Sequence, residues 1–578
     1  SKTKEKNMRK KFLFLASSLL TIAPLTTISC FNFLNNGTDL EKPNVDQLIK
    51  SNFKVKKTGF KNLTNLDYFI KSNSINLYFK DDENSQPYVD VEEIIKDLDG
   101  FFNTSLIKKS NDNNKLVLFN KNHKMEIDAE SDNIFVSSGN FFNLVKSTSS
   151  TNYSRHLLFS GFKIENEYEI NPSISFNLKK YNIDIIRKNE RTYIPFSIFN
   201  TLFCSQNYYN LYYNGSRVFG QFFSFSEGDD NANQYRQGKF NNYSETEKDR
   251  KYNLDNLLFN LDYFYGLKKY KNINSFENYV DSLKHELLST NPEIYNKAYA
   301  KLFFSKINEL HTNFNFLNAF SNASKNVRDY AVGNYGSERI QHYQIGQKLK
   351  NKRIDLEQEI YQDKYIVRDN FAYIILNSFR TASDQEVNNG YYLNDSFEFM
   401  KNTLEKISKN KKIKNVVIDI SQNGGGNIGA MYRVLGLLTN DDIIAHSHEM
   451  QSNAKTTENY KIDANKDGNY NDNDAFDNFN YYILTSKNTF SAANSFSAIV
   501  KEMNIGKIIG QKSGGGTSSV LPLVLNDGTS ILISSPSTTW YKFDEKEINS
   551  EYGVKPDILI NYDDFYNLDY LAKNVIGK

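Results

Sequence analysis

Hydrophobic and polar positions follow three different patterns along the chain. From 74 to 217, short runs of Tyr, Phe, Ile and Val alternate with Asn-, Asp- and Lys-rich turns, which predicts half-buried strands. Two stretches in this region, PYVDVEEIIKDL at 87–98 and TYIPFSIFNTLF at 192–203, each predict a strand entering a helix. From 252 to 324 the apolar positions have a helical period, and from 358 to 578 continuous apolar runs alternate with helical ones. The pattern therefore predicts a small β-rich module with a weak internal repeat, then a helical part, then a second half of alternating strands and helices.

The segment 218–251 separates the β-rich module from the helical part. It is rich in Gly, Asp, Asn, Ser and Gln and has no apolar period. Such a composition buries little surface, so the segment is predicted to be a linker or a mobile loop.

The N-terminal segment 1–29 has the layout of an export signal. Basic Arg9, Lys10 and Lys11 precede the apolar run FLFLASSLLTI, which is too short for a permanent membrane span. The segment ends at Cys30, and the preceding Thr-Ile-Ser resembles a bacterial lipobox, in which the cysteine carries the lipid. We expect a chain anchored at Cys30 to the cell membrane, facing outside, with 30–73 as a stalk; an ordinary signal peptide with an incidental cysteine is the alternative.

Composition narrows the function further. Hydrophobic residues make up 39% of the 578 residues and charged residues 24%, which is typical of a globular protein. The 70 Lys and Arg nearly balance the 68 Asp and Glu, so charge gives no reason to expect a nucleic-acid partner. Two cysteines exclude a disulfide framework and a cysteine zinc site. Apart from the lipid anchor, the sequence predicts no membrane contact.

Three strand ends in the second half carry candidate chemistry. KNVVIDI runs into three glycines at 424–426 and then a helical pattern, so backbone amides are exposed where they can hold a phosphate or an oxyanion. No Lys-Ser/Thr follows these glycines, which excludes a P-loop. NYYILTS leads to Ser491, flanked by small residues before a helix, as a hydrolase presents a nucleophile. IGKIIGQ leads to KSGGGTS at 512–518.

These motifs together resemble the tail-specific, or C-terminal-processing, serine proteases. The resemblance rests on DISQNGGG, LTSKNTFSAANSF, IIGQKSGGGTS, SEYGVKPDI and, upstream, Glu309-Leu310-His311-Thr312, and it covers about 290–560. It implies an α+β multidomain fold whose protease core is a crotonase-like ββα superhelix, at 358–578 within a protease domain at 252–578. No PDZ pattern is visible between 324 and 373, where many relatives have one.

The resemblance also implies the roles of individual residues. In one branch of the family a Lys activates the Ser; here Gly515 stands at that Lys position, and Lys512 lies three places earlier. The other branch, like the tricorn core and retinoid-binding-protein repeats, uses His and Glu. The sequence favours this branch, and Lys512 is the alternative base. The predicted nucleophile is Ser491, the predicted base is His311 and the predicted supporting acid is Glu551. The predicted oxyanion donors are the backbone N–H groups of Gly425, Gly424 and Ala492. Leu310 departs from the Ser that precedes the tricorn-type His.

A twelve-residue loop has the ligand spacing of an EF-hand. Oxygen-bearing side chains stand at its positions 1, 3, 5, 9 and 12, Gly468 stands at position 6, and position 7 offers a carbonyl. The predicted ligands of a structural Ca²⁺ are Asp463, Asn465, Asp467, Asn469, Asn471 and Asp474. A polar turn without an ion is the alternative.

The sequence thus predicts an extracytoplasmic serine endopeptidase that cuts protein or peptide substrates through an acyl-enzyme on Ser491. It predicts no cofactor for catalysis. The alternative from another class is a catalytically inactive, surface-binding lipoprotein on the same fold.

Overall fold

The computed structural model describes residues 37–64, 68–80, 86–110, 112, 114–146, 155–318, 323–360 and 364–578. Cys30 and the predicted export signal lie outside this part of the chain. The described residues form a mixed α and β, multidomain structure with several sheets, so the predicted fold class is confirmed at this level.

The strands are β1 Thr38–Asp39, β2 Lys54–Asn62, β3 Ser74–Phe79, β4 Tyr88–Asp90, β5 Ile107–Ser110, β6 Leu116–Asn120, β7 His123–Asp128, β8 Asn133–Val136, β9 Leu157–Ile164, β10 Ile174–Asn177, β11 Ile186–Lys188, β12 Arg191–Pro195, β13 Tyr209–Tyr213, β14 Arg217–Phe222, β15 Asn313–Phe316, β16 Tyr365–Arg368, β17 Phe371–Ile375, β18 Asn415–Asp419, β19 Ile443–Glu449, β20 Ala454–Ile462, β21 Asn480–Thr485, β22 Gly506–Gly510, β23 Val520–Val524, β24 Ser530–Ser534, β25 Ser537–Phe543, β26 Lys546–Asn549 and β27 Ile558–Leu559. The α-helices are α1 Val45–Lys50, α2 Val91–Asp97, α3 Phe196–Phe199, α4 Asp230–Tyr235, α5 Glu247–Phe264, α6 Phe276–Tyr279, α7 Lys284–Leu287, α8 Pro292–Ala300, α9 Val327–Ala331, α10 Ser337–Glu359, α11 Asp384–Asn388, α12 Ser396–Ser408, α13 Ile428–Gly436, α14 Ala492–Glu502 and α15 Leu568–Asn574. Two π-helices, Asn200–Cys204 and Lys301–Ile307, directly continue α3 and α8.

Two sheets make up most of the N-terminal region. Their strand orders are β1-β5-β6-β7-β8-β10 and β11-β12-β4-β3-β2-β14-β13. The two similar sequence stretches form neighbouring strand–helix units, because β4 leads into α2, β12 leads into α3, and the two strands pair antiparallel with Tyr193 opposite Asp90. The weak repeat of the sequence thus corresponds to two adjacent copies of one structural unit.

The polar segment 218–251 is ordered in this structure. It contains the end of β14, α4 and the start of α5, and Phe225, Tyr235 and Phe240 within it are buried. These three aromatic side chains anchor a segment whose average composition predicts a linker. They belong to a single core cluster that also includes the N-terminal sheets and the helices from α5 to α8.

A parallel sheet forms the centre of the second half. Its order is β16-β17-β18-β21-β22-β27, and every pair except β16–β17 is parallel. Apolar clusters cover both of its faces, which explains the continuous apolar runs of β18 and β21. Because parallel strands end at the same edge, the loops after β18, β21 and β22 come together there.

Two smaller sheets join the halves of the chain. Strand β9 from the N-terminal region pairs antiparallel with β20 and completes the order β26-β25-β19-β20-β9. Strand β15, which follows the helical part, pairs with β24 in the order β15-β24-β23. Among the described residues, no helix is both long enough and apolar enough to span a bilayer.

Candidate active site

Ser491 occupies a strained turn at the start of helix α14. Its φ and ψ are 58° and −126°, a region that non-glycine residues rarely adopt. The Ser491 N–H donates to the Gly515 carbonyl (2.9 Å), and Phe490 forms a parallel bridge with Gly515. The strained turn places the nucleophile candidate between β21 and the N-terminus of α14, and observed strain of this kind is concentrated at functional sites.

The glycine loop after β18 lies directly against Ser491. A Cβ on Gly425 would come within 2.7 Å of Ser491 Cβ and 3.0 Å of the Ala492 nitrogen, so only glycine fits there. Asn423 ties the loop to the serine turn, because its carbonyl accepts the Phe490 N–H at 3.1 Å. Because Gly515 of the 512–518 loop also bonds to Ser491, all three predicted motifs meet there.

The three predicted oxyanion donors differ in availability. The Gly425 N–H donates to Asn423 Oδ1 at 2.8 Å and is engaged within the loop. The N–H groups of Gly424 and Ala492 have no acceptor in the part of the chain that the structure describes, and Gly424 is exposed. Ala492 is the first residue of α14, where the N–H has no helical partner and the helix dipole favours negative charge.

His311 lies beside the same turn. It follows the π-helix that ends at Ile307 and precedes β15, and its ring is 4.7 Å from the Phe490 ring in an edge-on arrangement. Burial lowers the pKa of His311, while the charge of Glu309 and the Ser518 carbonyl act to raise it. In the described contacts no hydrogen bond joins the imidazole to Ser491, and Nδ1 is buried without a partner. Hydrogen bonds between catalytic groups are often formed only with substrate bound.

Glu551 reaches the site through the third motif. Its Oε2 accepts the N–H groups of Thr517 (2.8 Å) and Ser518 (2.9 Å) and the Ser518 hydroxyl (3.2 Å). Burial, followed by the charge of Glu309, raises the pKa of Glu551 to about 7. Ser518 thus stands between the two predicted partners, since it binds Glu551 and its carbonyl acts on His311.

Lys512, the alternative base, is exposed at the start of this loop. Its Cε lies 3.4 Å from the position that a Cβ on Gly553 would occupy. Gly515, three residues later, is the loop residue that pairs with Phe490 and Ser491.

Asn494 is a site residue that the sequence analysis did not single out. It lies on α14 one turn after Ser491 and is fully buried. Its Oδ1 accepts the Ser513 hydroxyl (2.6 Å) and the Gly515 N–H (3.0 Å), and its Nδ2 donates to the Ser550 carbonyl (2.9 Å). One side chain therefore holds the loop beside Ser491 and the segment carrying Glu551; a polar residue on the buried face of an apolar helix is the signal that could have identified it.

The loop 463–474 leaves β20 and is held by its own side chains. Both carboxyl oxygens of Asp463 accept loop N–H groups, from Asp467 (3.1 Å) and Gly468 (2.9 Å), and Asp474 accepts the Asn465 N–H (2.7 Å). Gly468 has φ +88°. Across the described residues, no group of three or more His, Cys, Asp or Glu is arranged to hold a metal ion, and the calcium site stays a prediction from the sequence.

Comparisons with known proteins bear on the same region. Residues 370–560 match the model of peptidase family S41. No curated protein sequence matches the chain. Among solved structures, the photosystem II D1 C-terminal processing protease is similar over 33% of this chain and 43% of its own (19% identity, TM-score 0.24). A lipoprotein from Streptococcus agalactiae is similar over 56% of this chain and 96% of its own (14% identity, TM-score 0.33).

The S41 match contains the glycine loop, Ser491, the 512–518 loop and Glu551, while His311 lies upstream of it. It confirms the predicted resemblance to the C-terminal-processing proteases over this stretch of the chain. Over residues 370–560 the chain is therefore similar to peptidase family S41, a family of serine peptidases.

Proposed function

We propose that the chain is a serine endopeptidase that hydrolyses protein or peptide substrates outside the cell, with Ser491 as nucleophile. The observation that carries the proposal is the strained turn of Ser491 against the Gly425 backbone, at a helix N-terminus with an unengaged N–H. An ordinary structural serine does not need such a conformation.

The proposed reaction begins when Ser491 Oγ attacks the scissile carbonyl and gives its proton to the His311 imidazole. The lowered pKa of His311 keeps its ring neutral, and therefore basic, at neutral pH. The imidazolium then donates this proton to the leaving amine, and water hydrolyses the acyl-enzyme by the same steps in reverse order. The bond formed in the first half is Oγ–C, and the bond broken is C–N.

The negative oxygen of the tetrahedral intermediate would be held by the N–H groups of Ala492 and Gly424. Both are free of acceptors in the described part of the chain, and the dipole of α14 adds to their effect. Losing one such donor typically lowers kcat ~100-fold or more. Gly425 contributes the space beside Ser491 rather than a donor, because its N–H is bound to Asn423.

The test is labelling by a rhodamine fluorophosphonate, together with casein hydrolysis, using wild type, Ser491→Ala and Ser497→Ala. Ser497 lies on the same helix but is fully buried, whereas Ser491 is partly exposed, and the Ser497 hydroxyl donates to the Ala493 carbonyl at 2.9 Å. Label and hydrolysis in wild type and Ser497→Ala, with both lost in Ser491→Ala, support the proposal. A wild-type protein that neither takes label nor cleaves casein would instead favour the surface-binding lipoprotein.

The base is tested in the same assay. We expect His311→Ala to lose label and Lys512→Ala to keep it, because Lys512 is exposed and Gly515 occupies the loop position beside Ser491. The opposite result would assign the proton transfer to Lys512.

The proposed location rests on the sequence of the first 30 residues. Cys30 would carry the lipid and hold the protein at the outer face of the cell membrane. The full chain expressed in a bacterium should partition into the detergent phase, and Cys30→Ser should move it to the aqueous phase. Equal partitioning of the two would refute the lipid anchor.

A further inference from the structure

Glu309 is a buried carboxylate that binds the backbone of His311, and the proposed reaction gives it no role. Its Oε1 accepts the His311 N–H at 2.7 Å and the Ser534 hydroxyl at 2.9 Å. Its side chain is nine-tenths buried, and its second oxygen, Oε2, has no hydrogen-bond partner among the described residues. A buried carboxylate with an unused oxygen is energetically unfavourable unless it serves another group.

The turn that carries His311 is also fixed from the other side. Arg339 on α10 donates to the carbonyls of Glu309 (3.0 Å) and Thr312 (2.9 Å), which flank His311. The Ser534 N–H donates to the Thr312 hydroxyl at 3.0 Å. Helix α10, strand β24 and the Glu309 side chain therefore hold one four-residue turn, and they fix the backbone that carries the imidazole beside Phe490.

Other charged and titratable groups act on the same place. Arg339 opposes the protonated form of His311, whereas the charge of Glu309 favours it. Glu309 also raises the pKa of Glu551. Burial raises the pKa of Tyr265, and the charges of Glu309 and Glu551 raise it further. The Tyr265 hydroxyl has no hydrogen-bond partner in the described structure. The charge of Glu309 thus acts on His311, Glu551 and Tyr265.

We propose that Glu309 is a positioning residue for His311: its carboxylate fixes the histidine backbone and supplies the negative charge that stabilises the imidazolium formed during acyl transfer. This inference rests on the proposed function and adds to it a second acid. Glu551 then orders the 512–518 loop through Thr517 and Ser518, while Glu309 serves the base directly.

The charge of Glu309 predicts a specific pH effect. A negative charge beside an imidazole raises the pKa of that imidazole, by roughly one to three units when the groups are ~4–6 Å apart. Removing the charge should lower the pKa of His311. The imidazole then stays neutral down to a lower pH, and it is a weaker base. Loss of the charge should lower the pKa of Glu551 as well, and both changes move the acid limb of activity in the same direction.

The experiment measures the rate of rhodamine fluorophosphonate labelling against pH in the full chain. In Glu309→Gln, which can still accept the His311 N–H, we expect the acid limb to move to lower pH by about one unit and the plateau rate to fall ~10-fold. Glu309→Asp keeps the charge and should keep the acid limb of wild type. The exposed Glu277, which pairs only weakly with Lys284 at 3.8 Å, gives the control Glu277→Gln.

The outcomes separate the two proposals. A labelled wild type whose acid limb is unchanged in Glu309→Gln would overturn this inference alone. If Glu309→Gln does not fold, Glu309→Asp tests the inference instead. Because this variant keeps the charge, an acid limb that moves to lower pH in Glu309→Asp would contradict the inference. A wild type that takes no label would overturn the proposed function and this inference with it.

Discussion

Replacing Gly425 by alanine tests the geometry of the site most directly. The new Cβ would lie 2.7 Å from Ser491 Cβ and 3.0 Å from both the Ala492 nitrogen and the Phe490 carbonyl oxygen. All three are backbone or Cβ atoms, so no flexible side chain can turn away to make room. Either the glycine loop or the serine turn must move.

The expected magnitude has two parts. Gly425 has φ +109°, and an alanine held in such a region costs about 1–3 kcal/mol of folding free energy. Relief of the contact displaces Ser491 by several tenths of an ångström or more, and a displacement of ~1 Å from the reactive geometry lowers rates ~100-fold. We therefore expect a modest loss of thermal stability and a loss of at least about 100-fold in labelling rate.

The assay combines fluorophosphonate labelling with thermal unfolding of Gly425→Ala and of Gly161→Ala. Gly161 lies on β9, where a new Cβ would meet Asn459 Cβ at an ordinary contact distance of 3.5 Å. The control should keep the wild-type labelling rate. A folded Gly425→Ala protein that also labels at the wild-type rate would show that Ser491 does not need the space that this glycine leaves.

Three further predictions concern the surroundings of Ser491. Asn494→Ala leaves three buried groups without their hydrogen bonds to Asn494. We therefore expect the free energy of unfolding to fall by ~2–4 kcal/mol and labelling to slow, and an unchanged melting temperature would contradict this. Because the pKa of Glu551 is raised to about 7 in the folded state, the folded protein binds the extra proton between about pH 4.5 and 7, and stability falls as pH rises through this window. Glu551→Gln should remove that dependence and be more stable than wild type at pH 8 by about 3 kcal/mol in urea unfolding, whereas parallel pH curves would refute the assignment. If the loop 463–474 binds calcium, saturating CaCl2 should raise the melting temperature of wild type but not of Asp463→Asn, with ~2.7 kcal/mol expected at one hundred times Kd; equal melting temperatures in calcium and in chelator would exclude the ion.

The meeting of the motif loops at one edge could be predicted from the sequence. KNVVIDI, NYYILTS and IGKIIGQ are apolar runs typical of buried parallel strands, and parallel strands end at a common edge. The polar cross-links could not be predicted in the same way. Glu309 binds Ser534, and Asn494 binds Ser513 and Ser550, through tertiary contacts that leave no periodic pattern along the chain.

The segment 218–251 shows why composition misleads at short range. Its polar average predicts a linker, but three aromatic side chains spaced along it are enough to attach it to the core. The pairing of β9 with β20 could not be predicted from the sequence, for a different reason. The alternation of apolar and polar residues in a strand shows which face is buried, but it does not show which distant strand will pair with it.

Strand β9 also constrains the order in which the protein can fold. Its backbone pairs with β20, and Lys455 donates its N–H to Asn166 across 289 residues of chain. During synthesis, β9 leaves the ribosome long before β20 exists, so the N-terminal region cannot complete its folding as an independent unit. Until then β9 is an unpaired strand, and unpaired strand edges are sites for aggregation. The protein must therefore close this loop of 289 residues late, and protection of β9 during synthesis would determine how much folded protein is produced.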